Sequence, residues 1–453
     1  MTAIPNPGQG VTTADAIAWF VAETPLDAIP GAATERAREC LIDTVGSALG
    51  GGQLRAGRIA LAVVQDEAGV EAATLLATGR RAALSQAAFA NAVAASALDF
   101  DDGHYGSITH PGAPVIPPAM ATAEARKRSG RDLLGAIVIG YEIAIRAATI
   151  LHARPRERSY GSGAPGAYGA AASVARLLGL DTPRVKHALG IARCHLPVST
   201  VDGIRCGAMV KESVGWGALT GTMAALLAEK GFTAPETSLD EPHDGAASDF
   251  GTLADLGRRY RIGEVYVKRF PACLMTHAAV EAVLDLRSRH GLRPEDVLSL
   301  TVWTQRGAAA LDDPAPRSSE AAQYSIPYTV AAALVDGELG VRQMLEDRLG
   351  DRRILDLATR VAVRHDPRLD LEYPARRPAR VRLQTVGGET CEHEVLVIRG
   401  SSEAPLTSAE VDAKFLSLAE PLGGREWAQR VLALLREVET QDDFGSVWGP
   451  LWA

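Results

Sequence analysis

Alanine-rich segments of helical length dominate roughly the first 260 residues, and they constrain the fold more than any other feature of the sequence. Alanine has the highest intrinsic helix propensity, and its small side chain lets neighbouring helices approach closely. The clearest segments are 83–98, 130–151 and 166–180. Gly179 is placed to end the last of these, and Asp181 or Thr182, followed by Pro183, is placed to begin another helix. This part of the chain is therefore predicted to be helical.

The pattern changes near residue 262. Residues 297–305 alternate apolar and polar side chains, as a half-buried strand does. Residues 379–400 contain two strand-like runs joined at Gly387-Gly388, which is typical of a β-hairpin. The middle third is therefore predicted to be α+β.

Helical patterns return towards the C-terminus. Thr407 and Glu410 have the spacing of a capping box, and residues 425–439 are amphipathic. We predict a mostly α protein in which a large all-helical domain is built from both chain ends and a smaller α+β domain is inserted between them. The expected boundaries are 1–264 for the first helical part, 265–403 for the α+β domain and 404–453 for the second helical part.

Charge and composition argue against several classes of protein. The 453 residues carry a formal net charge of −8 and show no basic stripe, so nucleic acid is not an expected partner. The five cysteines are far apart, which suggests reduced thiols in the cytosol instead of a zinc ribbon or a disulfide framework. The N-terminus lacks the basic start and apolar core of a secretory signal. The most apolar run, from Leu133, is broken by Glu142 and Arg146, so we expect a cytoplasmic protein without a membrane span.

A polar cluster in ALDFDDGHYGSITHPGAP, residues 97–114, is the strongest candidate for a functional site. Its titratable members are Asp99, Asp101, Asp102, His104 and His110. Aspartate clusters can hold Mg²⁺, but no second acidic motif accompanies this one, and aromatic residues total only 5%. We favour a metal-free acid/base and carboxylate-binding pocket, because histidine titrates near neutrality and can donate to a carboxylate. For any single aspartate, a structural role is at least as well supported.

Four other stretches of the sequence carry polar side chains that could belong to a site. Residues 159–169 contain four glycines ahead of a helix and could cradle an anion, although the spacing alone favours an ordinary loop. Arg205 and Lys211 precede a glycine-spaced helix, and Lys268 precedes a proline turn. Isolated lysines are usually solvated. Residues 323–325 precede an apolar helix, where polar side chains usually act as N-caps.

Taken together, nine stretches of the chain resemble the MmgE/PrpD family, which includes 2-methylcitrate dehydratase, cis-aconitate decarboxylase and iminodisuccinate epimerase. The stretches are LIDTVGSALGG, ALDFDDGH, THPGAPVIPPAMATAE, GYEIAIR, GAYGAAASVARLLGL, GAMVKESVGWGALTG, VKRFPACLMTHAAVEAV, SIPYTVAAAL and VDAKF, in family order. The resemblance implies a homodimer with a large helical domain and a smaller α+β lid. It also implies an active site in the cleft between them, with no metal or organic cofactor.

Three positions depart from the family's pattern. Tyr160 and Ala164 stand where many relatives have histidine and threonine. Gly103 stands where the common motif DFDDTH has threonine. These changes argue against methylcitrate and cis-aconitate as substrates, and a tyrosine opposite a lysine resembles the epimerase branch.

The family's shared step forms or reprotonates a carbanion next to a carboxylate, which needs a proton-transfer group and stabilisation of negative charge. The expected catalytic residues are Lys268, Tyr160 and His110, and the expected substrate-binding residues are Asp99, Lys211, Arg205 and His104. Asp99 is expected to orient His110 or a cationic partner. A lysine can act as the base if burial or neighbouring cations lower its pKa.

We therefore predict a cofactor-independent lyase that acts on a small di- or tricarboxylate by dehydratase-type elimination. One alternative is a two-base epimerase of an amino- or imino-dicarboxylate that uses Tyr160 and Lys268. A decarboxylase similar to cis-aconitate decarboxylase is another. A non-catalytic carboxylate-binding protein is the alternative of a different class.

Overall fold

The computed structural model describes residues 12–67, 69–152, 161–199, 207–235 and 253–452. Its helices are α1 Thr13–Glu23, α2 Gly31–Gly51, α3 Arg55–Asp66, α4 Leu84–Ala97, α5 Gly112–Ala125, α6 Gly130–His152, α7 Gly163–Leu178, α8 Thr182–Cys194, α9 Val214–Glu229, α10 Leu274–His290, α11 Arg306–Ala309, α12 Ser319–Gln323, α13 Ile326–Asp336, α14 Arg352–Ala358, α15 Ser408–Arg436 and α16 Phe444–Trp448. Its strands are β1 Ala73–Thr74, β2 Arg81–Ala82, β3 Gly103–His104, β4 Val265–Tyr266, β5 Val297–Thr304, β6 Val361–His365, β7 Ala379–Thr385 and β8 Thr390–Val395.

Helices from both ends of the chain pack around one core. Helix α7 packs against α5, α6 and α9, and the C-terminal helix α15 packs along α2. The shared core includes Leu41, Ile137, Phe415 and Trp448, which come from early and late parts of the chain. The prediction of a mostly α fold with a smaller α+β part is therefore confirmed.

Local signals in the sequence mark the ends of these helices correctly. Gly179 adopts the left-handed conformation (φ 70°) that ends α7, and the Asp181 side chain caps α8 by accepting the backbone N–H of Arg184. The capping box of Thr407 and Glu410 begins α15. Each of these ends depends on side chains within a few residues, which is why sequence patterns suffice to place them.

The α+β part is built on a four-stranded sheet with the order β6-β5-β7-β8. Strand β5 runs parallel to β6 and antiparallel to β7, and β7 and β8 form the predicted hairpin. Helix α10 packs on β7 and β8, and α13 packs on α10. The strand and hairpin predictions are confirmed, while the exact domain boundaries stay predictions.

A short two-stranded ladder joins the two parts. Gly103 in β3 pairs with Tyr266 in β4, and His104 pairs with Val265. This ladder brings the loop between α4 and α5 next to the segment that carries Lys268.

Helix α6 is long and apolar enough to cross a membrane by length and composition, unlike the short run expected from the sequence. Most of it is buried against other helices, as in the core helix of a folded domain. Glu142 and Arg146, which interrupt the apolar run, form a buried ion pair of 3.1 Å within it. Helix α6 therefore packs as part of the core.

Gly51 marks the closest approach between α2 and α4. A Cβ there would lie 1.9 Å from the backbone oxygen of Ala94. We expect Gly51→Ala to lower the free energy of unfolding by about 1–3 kcal/mol, because the helices must separate to accommodate the methyl group. Chemical denaturation measures this. Gly31→Ala, at the start of α2 with nothing within 4 Å, is the control and should stay within about 0.5 kcal/mol of wild type. Equal effects would contradict the packing described.

Candidate active site

A buried aspartate–lysine cluster lies where the loop after α4 meets β4. Lys268 Nζ donates to Asp99 Oδ1 at 2.9 Å and to the Asp99 backbone oxygen at 2.8 Å. Lys211 Nζ lies 3.8 Å from the same Oδ1, and it donates to the Ser96 carbonyl at 2.8 Å and to Gln323 Oε1 at 3.0 Å. Lys268 is 1% exposed, Asp99 4% and Lys211 6%. Three predicted site residues thus meet out of contact with bulk water.

Backbone strain accompanies this cluster. Asp99 has φ 51°, Lys211 has φ 42° and Ser213 has φ 57°. Residues other than glycine rarely adopt this left-handed region, and they concentrate at functional sites where surrounding contacts hold them. The strain therefore supports a functional role for the two segments that carry Asp99 and Lys211.

The electrostatics of the cluster favour charged side chains. Burial alone would lower the pKa of Lys268, but attraction by Asp99, and then by Asp101, outweighs burial and raises that pKa. Burial would likewise raise the pKa of Asp99, but Lys268, Lys211 and His110 together lower it. Lys268 is therefore an ammonium at neutral pH. The condition under which it would act as a base, a lowered pKa, is not met in this structure.

His110 lies beside the cluster and is partly buried. Its Nδ1 lies 2.7 Å from the backbone carbonyl of Asp102, which can only accept, so Nδ1 carries a proton and this contact orients the ring. Its backbone N–H donates to Ser162 Oγ at 3.0 Å. Of the two partners expected for Asp99, the structure gives it the cation, Lys268, while the Asp102 backbone orients His110.

His104 makes its contacts elsewhere. The backbone N–H of Ser107 donates to His104 Nδ1 at 3.1 Å, and Nε2 lies 3.4 Å from Glu264 Oε2. Both ring nitrogens of His104 therefore have protein partners near the β3–β4 ladder. The geometry gives no support to a role for His104 in substrate binding, which stays a prediction.

Asp102 holds the loop in place. Its Oδ1 accepts the backbone N–H of Gly112 at 2.9 Å, and its Oδ2 accepts the Tyr141 hydroxyl at 2.6 Å. Burial raises its pKa to about 6, against the effect of the Tyr141 hydrogen bond. Asp102 thereby fastens the loop to the start of α5 and to α6, which is the structural role that the sequence left open.

Comparison with known proteins covers both parts of this structure. The sequence matches the MmgE/PrpD N-terminal domain over residues 15–254 and the MmgE/PrpD C-terminal domain over residues 270–440. The chain belongs to the MmgE/PrpD family. The resemblance that the nine stretches indicated is therefore confirmed.

Several relatives in this family are cis-aconitate decarboxylases. The chain is 27% identical to the Homo sapiens enzyme over 385 residues, which cover 79% of this chain and 77% of that protein. It is 24% identical to the Aspergillus terreus (strain NIH 2624 / FGSC A1156) enzyme over 445 residues, which cover 91% of this chain and 90% of that protein. The Mus musculus enzyme is 26% identical over 389 residues, covering 79% and 76%.

Gln323 contributes to the site of this MmgE/PrpD protein in a way that sequence reasoning missed. Its Oε1 accepts from Lys211, and its Nε2 donates to the backbone oxygen of Ala97 at 2.9 Å. Its neighbour Ser325 does cap α13, by accepting the backbone N–H of Tyr328. The sequence signal, polar residues before an apolar helix, is the same for both roles, so it could not separate them.

Tyr324 and Glu212 were also missed. Burial first, and then the charge of Asp99, raises the pKa of Tyr324 well above its ordinary value, so this phenol lies near the cluster and stays neutral. Glu212 Oε2 accepts the backbone N–H of Ser162 at 2.8 Å and also its hydroxyl. Because Ser162 in turn accepts from the His110 backbone, Glu212 links the Lys211 segment to His110.

Two predicted site residues, Tyr160 and Arg205, lie outside the described residues. Within the described ranges, no group of three or more His, Cys, Asp and Glu side chains is arranged to hold a metal ion. A cofactor-independent site stays a prediction.

Removing the charge of Asp99 should destabilise the fold. Asp99→Asn leaves Lys268 buried without its counter-ion, and loss of one partner of a buried pair costs about 3–5 kcal/mol. The double variant Asp99→Asn/Lys268→Met should recover part of that loss. Asp27→Asn, in an exposed pair with Arg131, should cost at most about 1 kcal/mol. Chemical denaturation at pH 7 tests this, and an Asp99→Asn variant as stable as wild type would contradict the cluster.

Asp102 should make stability depend on pH. A carboxyl whose pKa is raised in the folded state contributes stability below its unfolded pKa, here 3.8, and loses it as the pH rises through about 6. That difference corresponds to about 3 kcal/mol. Between pH 4 and pH 7 the free energy of unfolding of wild type should therefore fall relative to that of Asp102→Asn. Parallel curves for the two proteins would contradict the assignment, and the exposed Asp27→Asn variant is the control.

Proposed function

We propose that this chain is a lyase that acts on a small di- or tricarboxylate and that Lys268 delivers a proton to the reacting carbon. One observation carries the proposal. The Lys268 ammonium is buried against Asp99, which keeps it protonated at neutral pH. A buried ammonium beside a carbanion is a general acid positioned for the reaction.

Decarboxylation is the reaction that this arrangement supports best. When an unsaturated tricarboxylate loses CO₂, the electron pair of the broken C–C bond stays on the substrate as a delocalised carbanion. That carbanion must take a proton, so the reaction requires an acid and no base. Lys268 gives its proton to carbon and regains one from solvent. The relatives named cis-aconitate decarboxylase support the same choice, so we propose an unsaturated tricarboxylate of the cis-aconitate type as substrate.

Lys211 and His110 are the described residues that we propose to bind the substrate carboxylates. Lys211 Nζ lies 3.8 Å from the same Asp99 Oδ1 that Lys268 contacts at 2.9 Å. Its ammonium and the His110 ring supply positive charge or hydrogen-bond donors in a region from which water is largely excluded. Such interactions are stronger there than in water.

Dehydratase-type elimination is the second candidate, because the Asp102 carbonyl holds the His110 ring through Nδ1 and leaves Nε2 for the substrate. His110 would take the proton next to the carboxylate, and Lys268 would protonate the leaving hydroxyl. Epimerisation through Tyr160 and Lys268 needs a residue outside the described ranges and has no supporting observation. The homodimer and the cytoplasmic location stay predictions.

Proton NMR in D₂O with EDTA tests the proposal. We expect purified protein to release CO₂ from cis-aconitate and to leave one deuterium on the new C–H carbon. A hydroxy-tricarboxylate that instead loses water would favour dehydratase chemistry, and exchange with inversion of an amino-dicarboxylate would favour epimerisation. Silence across such a panel would contradict a carbon-acid lyase, and activity that returned only with Mg²⁺ would contradict a metal-free site.

Replacing Lys268 should stop proton delivery. We expect Lys268→Met to lower kcat on the identified substrate by about 10²–10⁴-fold, because general acid catalysis contributes that much. Lys230→Met is the control, since the Lys230 side chain is 81% exposed, and its turnover should be unchanged. Circular dichroism confirms that both variants are folded. A folded Lys268→Met variant with wild-type turnover would rule out this role.

A further inference from the structure

Tyr266 lies beside the proposed reacting centre. It pairs with Gly103 across the β3–β4 ladder, and it precedes Lys268 by two residues. In extended chain, side chains two residues apart point to the same side. Consistent with this, Lys268 contacts Asp99, and the Tyr266 ring lies 6.4 Å from the ring of His110 in an edge-on arrangement.

The Tyr266 ring has room because residue 103 is glycine. A Cβ on Gly103 would lie 2.2 Å from the Tyr266 hydroxyl oxygen and 2.3 Å from Cζ. Both distances are far below any real contact of a Cβ atom, and the atoms it would meet belong to a rigid ring. Any other residue at position 103 therefore requires that Tyr266 move. The departure from the family's threonine and the position of Tyr266 are thus one structural feature.

Neighbouring side chains fix the Tyr266 ring. Tyr105 packs against it with ring centroids 4.7 Å apart, and Arg377 from the α+β part stacks over Tyr105 at 5.2 Å. Tyr266 is only 6% exposed. Its ring is therefore held by packing, and its hydroxyl occupies the space that a Cβ on residue 103 would need.

The Tyr266 hydroxyl is a neutral donor that the described part of the chain leaves without a hydrogen-bond partner. Burial first, and then the neighbouring Tyr105 and the charge of Asp99, raises the pKa of Tyr266 well above its ordinary value, while Arg377 acts in the opposite direction. A phenol hydroxyl that has no partner among the described residues can donate its hydrogen to a ligand that enters the site. An anionic ligand would supply the missing acceptor.

We propose that the Tyr266 hydroxyl donates a hydrogen bond to a carboxylate oxygen of the substrate bound beside Lys268, and that Gly103 is the positioning residue that makes room for it. This inference rests on the proposed function, because it takes a polycarboxylate as the occupant of the pocket. It adds a substrate-binding residue that acts as a neutral donor, next to the charged groups already assigned. A donor fixed in place by packing selects substrates that carry an oxygen acceptor at that point.

A pair of tyrosine variants tests the contact. Tyr266→Phe removes one oxygen and keeps the ring, and Tyr105→Phe does the same to its packing neighbour. We expect Tyr266→Phe to weaken binding of tricarballylate, a saturated tricarboxylate, by roughly 10- to 100-fold in calorimetry, the range for a hydrogen bond to a charged group. KM for the turned-over substrate should rise with it. The affinity of Tyr105→Phe for tricarballylate should stay within about twofold of wild type. Both variants should have the melting temperature of wild type.

A glycine variant provides the second test. Gly103→Ala displaces the Tyr266 ring, so it should weaken tricarballylate binding as Tyr266→Phe does. The double variant should lose little more than either single variant, because both remove the same contact. Wild-type binding and KM in Tyr266→Phe, or equal losses in the two tyrosine variants, would overturn this inference alone. A wild-type protein that binds and turns over no polycarboxylate would overturn the proposed function and this inference with it.

Discussion

The buried ion pair between Asp99 and Lys268 is the interaction on which the rest of the site depends. Placing an ammonium out of water is unfavourable unless a counter-ion and hydrogen bonds compensate for lost hydration. Asp99 supplies both, through one carboxylate oxygen and its own backbone carbonyl. The same carboxylate oxygen also lies 3.8 Å from Lys211 Nζ, so a single aspartate faces two lysines. That arrangement makes Lys268 an acid, and an acid is what protonation of a carbanion requires.

Three segments that are distant in sequence hold this ion pair in place. The loop after α4 carries Asp99, the β3–β4 ladder places Lys268 beside it, and the C-terminal helix α15 contacts the loop through Lys414. There Lys414 Nζ donates to the Phe100 backbone oxygen at 2.7 Å and lies 2.5 Å from Asp43 Oδ1. A helical domain built from both chain ends therefore has a direct consequence for the site. Its last long helix anchors the loop that carries Asp99.

Local structure could be predicted from the sequence, because caps, hairpin turns and alanine-rich helices depend on neighbouring residues. Gly179, Asp181 and the Thr407 capping box are examples. The buried lysines could not, since an isolated lysine is usually solvated, and only the family resemblance identified Lys211 and Lys268 as pocket residues. The charge state of Lys268 was out of reach altogether, because it depends on a 2.9 Å contact with Asp99, 169 positions away in the sequence. Gln323 and Tyr266 were missed for the same reason, since tertiary packing brings them to the site.

The proposed proton delivery requires Lys268 to be protonated when it meets its substrate. NMR titration of protein labelled at the lysine ε-carbon measures this directly, with Lys268→Met used to assign the signal. We predict that the Lys268 resonance does not titrate up to its ordinary pKa of 10.5, because Asp99 outweighs burial. In Asp99→Asn the same resonance should titrate at lower pH than in wild type. A Lys268 signal that titrates near neutrality in the wild-type protein would contradict a role for Lys268 as the acid and would make this lysine a base.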